Sequence, residues 1–487
     1  MNRGRAMVEQ GIALARQGRI DDAVHAYERA IATEPGLAEA HYNLGIAHRA
    51  QGRMADAAAC WRRAIALRPD FVPAHNNLGS ALLELGQVDA AIAAHRRALE
   101  IDPRSLPALI NLGNALRRSG RAEDAAQVYR GALALAPDDA MAHGNLGLVL
   151  QDLGLFDESE AEYRRALALR PDYADAHRNL GMLLLLMGRF AEGWAEYRWR
   201  WQTRWHPRRQ FLFPPWDGGD LAGKRILLHA EQGLGDSIMF CRLATTLAAR
   251  GARVTLEVQP ALVRLLSGLA RVERILPAGT ALPMLDLEAP LLDLPGLLQL
   301  DDRSMPADTP YLRAEQDRVT RWRAVLGNRP GLKVGIVWQG NPLSIADLGR
   351  SPPLAAFAPL AALPGVRLIA LQKDAGREQL SALAGVEDLG AGFDAGPDAF
   401  LDTAAVMQGL DLVISADTAS AHLAGALGRP CWIVLKSAPD WRWMLERSDT
   451  PWYPTTLLFR QKHRGDWGEL FRRVADALAA RVTGAIA

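Results

Sequence analysis

Prolines recur in this sequence at a fixed interval of 34 residues. The triplet Asn-Leu-Gly keeps the same phase, as do a second glycine seven residues after the triplet and an alanine that follows an aromatic residue or histidine by three. Four features that share one period indicate a repeated structural unit. The prolines are Pro35, Pro69, Pro103, Pro137 and Pro171.

A 34-residue unit with small, aromatic and proline positions in this order resembles the tetratricopeptide repeat. The resemblance implies two antiparallel helices per unit, stacked so that neighbours bury a continuous core and leave a concave groove for binding. The sixth unit diverges after its Asn-Leu-Gly triplet, and we expect it to dock on the part of the chain that follows. The expected units are 4–37, 38–71, 72–105, 106–139, 140–173 and 174–207.

Composition limits the class of protein. Hydrophobic residues make up 49% of the 487 residues and charged residues 23%, as in soluble globular proteins. A net charge of +1 argues against electrostatic binding to nucleic acid or a membrane surface. Three distant cysteines form neither a disulfide framework nor a metal knuckle. With no signal-peptide segment and no run of 18 apolar residues, we expect a cytoplasmic protein without a membrane span.

After residue 223 the period changes to short apolar runs separated by helical patterns. Such alternation predicts βαβ units and parallel sheets covered on both faces. The expected domains are a repeat solenoid at 1–207, a connector at 208–222, and two Rossmann-like halves at 223–330 and 331–487. The expected strands are 225–229, 254–258, 333–338, 366–371, 411–415 and 431–435.

Three loops follow these strands, and ligands of open α/β sheets bind beyond the carboxyl ends of strands. The first loop, 229–236, has glycines that allow a ligand close to the backbone, and ends in Gly235 and Asp236. Asp236 opens a helix, so it is either an N-cap or a general base, or both. The loop lacks the third glycine of a dinucleotide fingerprint, which weakens a nicotinamide reading without excluding it, since Glu257 could touch a ribose.

The second loop, 415–425, begins a helix directly after a strand. Free N–H groups at such a terminus form a ready site for an anion. Thr418 and His422 lie four apart, hence on one helical face where both can reach a phosphate; the alternative for His422 is a packed histidine. No cysteine or carboxylate clusters with the histidines of this region at ligand spacing, so no metal site is expected.

The third loop, 338–342, contains Gln339 and Asn341 and is followed by Arg350. Gln372 and Lys373 end another strand. Cations at strand ends of one half-domain are well placed to meet a diphosphate.

The sequence of the α/β part resembles that of a known enzyme family. Residues 223–485 look like a GT-B glycosyltransferase of the lipopolysaccharide heptosyltransferase group (glycosyltransferase family nine), chiefly through D-T-x-x-x-H-L-A-G-A-L-G-x-P at 417–430. The resemblance implies that Asp236 is the base and that the segment beginning at Asp417 holds the donor's phosphates. Ala419 departs from the family's usual glycine, and Arg350 substitutes for its donor-phosphate lysine. The expected donor-side residues are Gly235, Gln339, Asn341, Arg350, Gln372, Lys373, Asp417, Thr418 and His422.

Repeats fused to a GT-B domain are also similar to O-linked N-acetylglucosamine transferase, in which an asparagine ladder grips an acceptor peptide. One asparagine recurs in each first helix here, and its amide offers both a donor and an acceptor to an extended chain. The alternative is that these amides bond within the repeat stack. Histidines two residues earlier in four repeats (41, 75, 143 and 177) could join the ladder. The expected groove residues are Asn43, Asn77, Asn111, Asn145 and Asn179.

The sequence thus predicts an inverting, metal-independent glycosyltransferase that uses a nucleotide-diphosphate sugar as co-substrate and needs no cofactor. Asp236 would take the proton of an acceptor hydroxyl, and the repeats would recruit a protein or peptide acceptor. The main alternative is a non-catalytic adaptor with a degenerate nucleotide-binding domain; an oxidoreductase is disfavoured. Repeat arrays often self-associate through exposed ends, which leaves a homo-oligomer open.

Overall fold

A computed structural model describes residues 3–204, 208–344 and 347–484. The chain divides into two compact units, Met1–Ala176 and His177–Ala487. The predicted boundary between solenoid and connector, residue 207, lies outside the described residues, and so do both ends of the chain.

The first unit is a stack of helices paired as the tetratricopeptide pattern predicts. Each first helix contacts the second helix of its own repeat and that of the preceding one. The helices are α1 (Arg3–Arg16), α2 (Ile20–Thr33), α3 (Ala38–Ala50), α4 (Met54–Leu67), α5 (Val72–Glu84), α6 (Val88–Ile101), α7 (Leu106–Arg118), α8 (Ala122–Leu135), α9 (Ala140–Asp152) and α10 (Phe156–Leu169).

Close packing explains the glycine of the Asn-Leu-Gly triplet. A Cβ added to Gly45 would lie 2.6 Å from the Trp61 ring, and one added to Gly113 would lie 2.5 Å from the Tyr129 ring. The recurring aromatic residue of the second helix therefore fills the space that the glycine of the first helix leaves empty. The second recurring glycine, such as Gly52 with φ of 75°, turns the chain between the helices in the left-handed region that glycine favours.

The second unit starts with the divergent sixth repeat. The unit begins at His177, inside α11 (Ala174–Leu186), and continues with α12 (Phe190–Tyr197) and a 3₁₀ turn at Arg198–Gln202. The Trp194 indole donates to the carbonyl of Leu300 at 3.2 Å and lies edge-on to Trp441, with ring centroids 5.2 Å apart. These contacts confirm the expectation that the sixth repeat docks on the following chain.

Two all-parallel sheets form the rest of the second unit. The first has the order β3-β2-β1-β4 and the second β10-β9-β8-β5-β6-β7, the latter being the 3-2-1-4-5-6 order of Rossmann-type sheets. The strands are β1 (Arg225–His229), β2 (Arg253–Val258), β3 (Arg274–Pro277), β4 (Leu287–Pro290), β5 (Leu332–Val337), β6 (Val366–Ala370), β7 (Val386–Asp388), β8 (Leu412–Ala416), β9 (Cys431–Leu435) and β10 (Thr456–Arg460).

Helices connect and cover these strands. The central strands β8 and β9 are buried along their whole length, which suits parallel strands covered on both faces. None of the helices in the described part of the chain is long and apolar enough to cross a membrane. The helices are α13 (Leu234–Phe240), α14 (Arg242–Ala249), α15 (Val263–Leu266), α16 (Leu294–Leu297), α17 (Gln316–Leu326), α18 (Ala358–Ala361), α19 (Leu401–Met407), α20 (Ala419–Ala426) and α21 (Trp467–Val482).

Candidate functional site

The loops that follow β1 and β8 meet. Helix α13 follows the loop after β1, and α20 begins directly after β8. The two helices pack against each other. A Cβ added to Gly235 would lie 3.1 Å from Cδ2 of His422 and 3.3 Å from Cα of Ala419. The glycine thus permits a close approach between the two sheets' loops, at the edge where open α/β sheets bind ligands.

Asp236 is held by both halves of the second unit. One carboxylate oxygen accepts a hydrogen bond from the Gly233 N–H at 2.9 Å, which ties the carboxylate to the start of α13. The other oxygen is ion-paired with Arg442 of the 3₁₀ turn Trp441–Trp443, after β9. Asp236 is not the predicted N-cap: Gly233 is the N-cap of α13, and Asp236 is the third residue of the helix, whose carboxylate accepts from the N-cap N–H. The Asp236 side chain is 17% exposed.

Helix α20 presents its N-terminal N–H groups beside the same cluster. Thr418, its N-cap, is half-buried, and its hydroxyl lies 3.1 Å from the Ser415 hydroxyl. The first-turn N–H groups of a helix lack intrahelical partners and carry a partial positive charge. This end of α20 can therefore bind an anion.

His422 is a packed histidine. Its Nδ1 lies 3.0 Å from the Tyr453 hydroxyl, and its ring stacks on Trp443 with centroids 5.2 Å apart. Burial, with a smaller contribution from the charge of Arg442, lowers the pKa of His422 to about 3. The imidazole is neutral near pH 7 and brings no charge to a phosphate, and a direct phosphate contact stays a prediction.

Two further carboxylates lie near Arg442, the buried Asp417 and the half-buried Asp440. Burial, followed by the negative charge of Asp440, raises the pKa of Asp417, which is 6% exposed. Burial also opposes ionisation of Asp440, but the charge and N–H groups of Arg442 outweigh it and hold the pKa of Asp440 below its ordinary value. Asp440 is therefore the anionic partner of Arg442, whereas Asp417 is the carboxyl that most readily keeps its proton.

The loop after β5 places a second arginine at the same edge. Arg350 is ion-paired with Asp347 at 3.3 Å, and Gln339 donates to the same carboxylate at 2.9 Å. The charge of Arg350 is felt at Asp417, whose pKa it acts to lower. Asn341 is exposed, and its side-chain oxygen accepts from the Leu343 N–H at 3.1 Å.

Two predicted donor residues have partners within the fold. The Gln372 oxygen accepts from the N–H groups of Trp338 and Gln339 at 3.1 and 3.0 Å, and its amide donates to the carbonyl of Ala375 at 2.8 Å. Lys373 donates its ammonium to the carbonyl of Asp394 at 2.7 Å. Gln372 thus joins the ends of two neighbouring strands, and Lys373 braces a loop of the second half.

The predicted groove asparagines differ in the hydrogen bonds that their side chains make. Asn43 donates to the Glu39 carbonyl of its own helix at 2.8 Å, while Asn77 donates to the Tyr42 hydroxyl of the preceding repeat at 3.2 Å. Asn111 donates to the Asn76 oxygen at 3.0 Å, again across repeats.

The last two asparagines differ again. In the second unit, Asn179 is buried, and its oxygen accepts from Arg178 at 3.0 Å. Asn145 is half-buried and has no side-chain hydrogen bond to the described residues. Bonding within the repeats, which the sequence left as an alternative, therefore occurs at four of the five positions.

The recurring histidines do not join the ladder in the way expected. His75 and His143 each place Nε2 2.9 Å from the carbonyl of the proline that lies six residues earlier, near the end of the preceding repeat, and His41 does so at 3.3 Å. His143 also bonds Glu162 through Nδ1 at 2.5 Å. In α3, α5 and α9 the ring thus ties the first helix to the proline that precedes it.

Arg442 is the site residue that the sequence reading missed. It lies in an aromatic segment without a recognised motif, and only the fold brings it to Asp236, which is 206 positions away in the sequence. The available signal was its position shortly after a buried strand of the second half, flanked by Asp440 and two tryptophans.

Comparisons with known proteins concern mainly the repeats. Tetratricopeptide-repeat family models match residues 8–59, 51–105, 82–149 and 138–192. A curated relative, Protein FlbA of Caulobacter vibrioides, is 30% identical over 297 residues, covering 56% of this chain and 49% of the relative. The chain thus spans about half the length of this relative.

Solved repeat proteins are similar to part of the chain. A tetratricopeptide repeat protein from Parabacteroides merdae is 20% identical, with a TM-score of 0.37, and covers 40% of this chain and 77% of its own. TTC0263 of Thermus thermophilus is 24% identical, with a TM-score of 0.32, and covers 37% and 99%. With the family matches, the helix pairs identify the N-terminal part of the chain as a tetratricopeptide-repeat solenoid.

Proposed function

We propose that the chain is a GT-B-type glycosyltransferase that moves a sugar from a nucleotide-diphosphate sugar to an acceptor hydroxyl. The observation that carries the proposal is the convergence of Asp236, from the loop after β1, with the N-terminus of α20 and Arg442, from the loops after β8 and β9. In this proposal Asp236 is the base and the N-terminus of α20 the anion site, both at one edge between two parallel sheets, as transfer from a diphosphate requires.

The residues have defined roles in such a transfer. The acceptor oxygen attacks the anomeric carbon, its proton passes to Asp236, and the bond from that carbon to the diphosphate breaks. Both Asp236 oxygens already accept one hydrogen bond, and each oxygen retains a second lone pair for the hydroxyl. The N–H groups at Thr418–Ala419 and the guanidinium of Arg350 stabilise the departing nucleoside diphosphate.

The repeats supply the acceptor in this proposal. A stack of amides along one helix face can hold the backbone of an extended peptide without reading its sequence. Asn145, whose amide has no side-chain partner among the described residues, is the best-placed of these amides to bind a peptide. Capture of a protein by the repeats raises the local concentration of its hydroxyl groups for the transfer site.

The engagement of Asp236 also favours a second candidate, a repeat adaptor with an inactive nucleotide-binding domain. Its carboxylate accepts from the N-cap N–H of α13 and pairs with Arg442 at once, and a carboxylate with these two structural roles is retained without catalysis. In the adaptor, the repeats alone bind a protein partner, and the second unit is a scaffold.

Substitution of the proposed base separates the two candidates. Purified protein would be incubated with a panel of nucleotide sugars and acceptor peptides, and release of nucleoside diphosphate would be measured. Asp236→Asn should lower kcat by about 10²–10⁴-fold with donor affinity retained, as expected for loss of a general base. Arg253→Gln, which breaks only an exposed pair with Glu273, is the control. No turnover and no nucleotide binding by the wild type would leave the adaptor as the function.

A further inference from the structure

The guanidinium of Arg442 joins carboxylates that belong to different α/β halves. One Nη donates to Oδ1 of Asp440 at 2.8 Å, and the other is ion-paired with Asp236. Arg442 is 7% exposed, and its carbon Cζ lies 4.3 Å from the Trp441 ring centroid. The side chain is therefore fixed from its own half before it reaches across to the other.

Two hydrogen bonds to Asp440 fix the conformation of Arg442. The Oδ1 of Asp440 accepts from the Arg442 backbone N–H at 3.0 Å as well as from the guanidinium, so backbone and side chain of the arginine share one anchor. The adjoining Trp443 stacks on His422 of α20. The short turn that carries Arg442 is thus held at both ends, which gives the guanidinium little freedom to swing away.

We propose that Arg442 is a positioning residue for Asp236, an inference that rests on the proposed transfer function. The Gly233 N–H fixes one oxygen of the carboxylate, and Arg442 fixes the other. With only the cap bond, the carboxylate could turn about that oxygen. With both contacts, its remaining lone pairs point in a set direction toward an acceptor hydroxyl.

Arg442 differs from Arg350, the arginine that we assign to the donor. Two carboxylates bind the Arg442 guanidinium, and its side chain is 9% exposed. Arg350 is 22% exposed and pairs with Asp347 at 3.3 Å. Because a diphosphate needs an accessible cation, Arg350 suits donor binding, whereas Arg442 suits orientation of the base.

Kinetics test this assignment with Arg442→Gln, Arg442→Lys and the control Arg253→Gln. Arg442→Gln should lower kcat about 100-fold, the loss typical of a misplaced reacting group, with the donor KM changed little. Arg442→Lys should restore part of kcat, because it keeps the charge and loses the two-armed geometry. A raised donor KM with unchanged kcat would overturn the proposal and make Arg442 a donor contact.

Hydrogen exchange provides a readout that does not depend on transfer. If Arg442 orients Asp236, its loss should loosen the cap, and the amides of residues 233–236 should exchange severalfold faster in Arg442→Gln than in Arg253→Gln. Unchanged exchange in a folded variant would overturn the proposal. If Arg442→Gln does not fold, Asp440→Asn, which keeps the Oδ1 acceptor but removes the charge that attracts the guanidinium, should produce the same change in smaller degree.

The two readouts distinguish failure of the positioning role from failure of the transfer function. Absence of transfer in the wild type with every donor would remove the catalytic premise, and the kinetic proposal with it. Normal transfer together with unchanged exchange and unchanged kcat in Arg442→Gln would overturn the positioning role alone.

Discussion

Gly113→Ala should destabilise the repeat stack, although alanine forms helices better than glycine. The new Cβ would lie 2.5 Å from Cζ of Tyr129. That ring is fully buried, and its hydroxyl donates to the Asn114 side chain at 2.8 Å. Because the ring is rigid, buried and bonded at its far end, it cannot move aside without disturbing its neighbours.

The magnitude follows from two opposing terms. Alanine in place of glycine inside a helix stabilises by about 0.5–1 kcal/mol. Overpacking of a filled core costs about 1–3 kcal/mol. Gly131 lies in α8 of the same repeat, and a Cβ added there meets nothing within 4 Å. Gly131→Ala therefore keeps the favourable term alone, and the two variants should differ by the overpacking cost of about 1–3 kcal/mol.

Urea unfolding of the full chain, followed by far-UV circular dichroism, would measure the change in the free energy of unfolding. Hydrogen exchange over residues 106–139 would locate it in the repeat, since a chain of two units need not unfold in one step. Equal stability of Gly113→Ala and Gly131→Ala would refute the view that the Tyr129 ring leaves room for no residue larger than glycine at position 113.

Three other perturbations follow from the structure. Burial lowers the pKa of His95 to about 4. Below about pH 6.5 the imidazole is therefore protonated in the unfolded chain but stays neutral in the folded protein. Unfolding free energy should fall by about 2 kcal/mol between about pH 7 and pH 5, and His95→Tyr, the residue of other repeats, should reduce that loss in pH-dependent urea titrations. Gly235→Ala, whose Cβ would lie 3.1 Å from His422, should separate the two loops and weaken nucleotide binding in calorimetry, whereas unaltered affinity would contradict a close-packed site. Arg350→Gln should weaken binding of a nucleoside diphosphate while Lys373→Gln leaves it unchanged, because Lys373 already bonds a carbonyl; equal losses in calorimetry would show that the lysine is also a ligand.

The repeats were predictable because their constraints are local. A glycine at position 45 and an aromatic at 61 lie 16 residues apart, within one helical hairpin, and recur in phase. The apolar runs that became β1, β5, β6, β8 and β9 were also visible, since buried parallel strands are continuously hydrophobic.

The strands that the sequence reading missed are short or lie at sheet edges. Strands β3, β7 and β10 lie at the edges of their sheets. They include exposed or half-buried residues, so their sequences are less continuously apolar than those of buried strands. Strand β4 (Leu287–Pro290) ends in a proline, and proline is usually a signal against a strand.

The candidate site was predictable only in part. Loops after strands gave Asp236 and Thr418, because open parallel sheets bind ligands at that edge. The partner of Asp236 is a long-range contact to Arg442 that no local pattern encodes. The roles of Gln372 and Lys373 could not be predicted either. A polar residue at the end of a strand looks the same in the sequence whether it binds a ligand or a neighbouring loop.

Binding of a nucleoside diphosphate tests the central claim most directly. Wild type and Arg350→Gln would be heated with each nucleoside diphosphate, and the shift in the unfolding temperature of the second unit would be recorded. One nucleotide at 100 times its Kd should add about 2.7 kcal/mol to the wild type, and the variant should need more nucleotide for the same shift. Absence of a shift with every nucleotide would contradict a donor site at the N-terminus of α20.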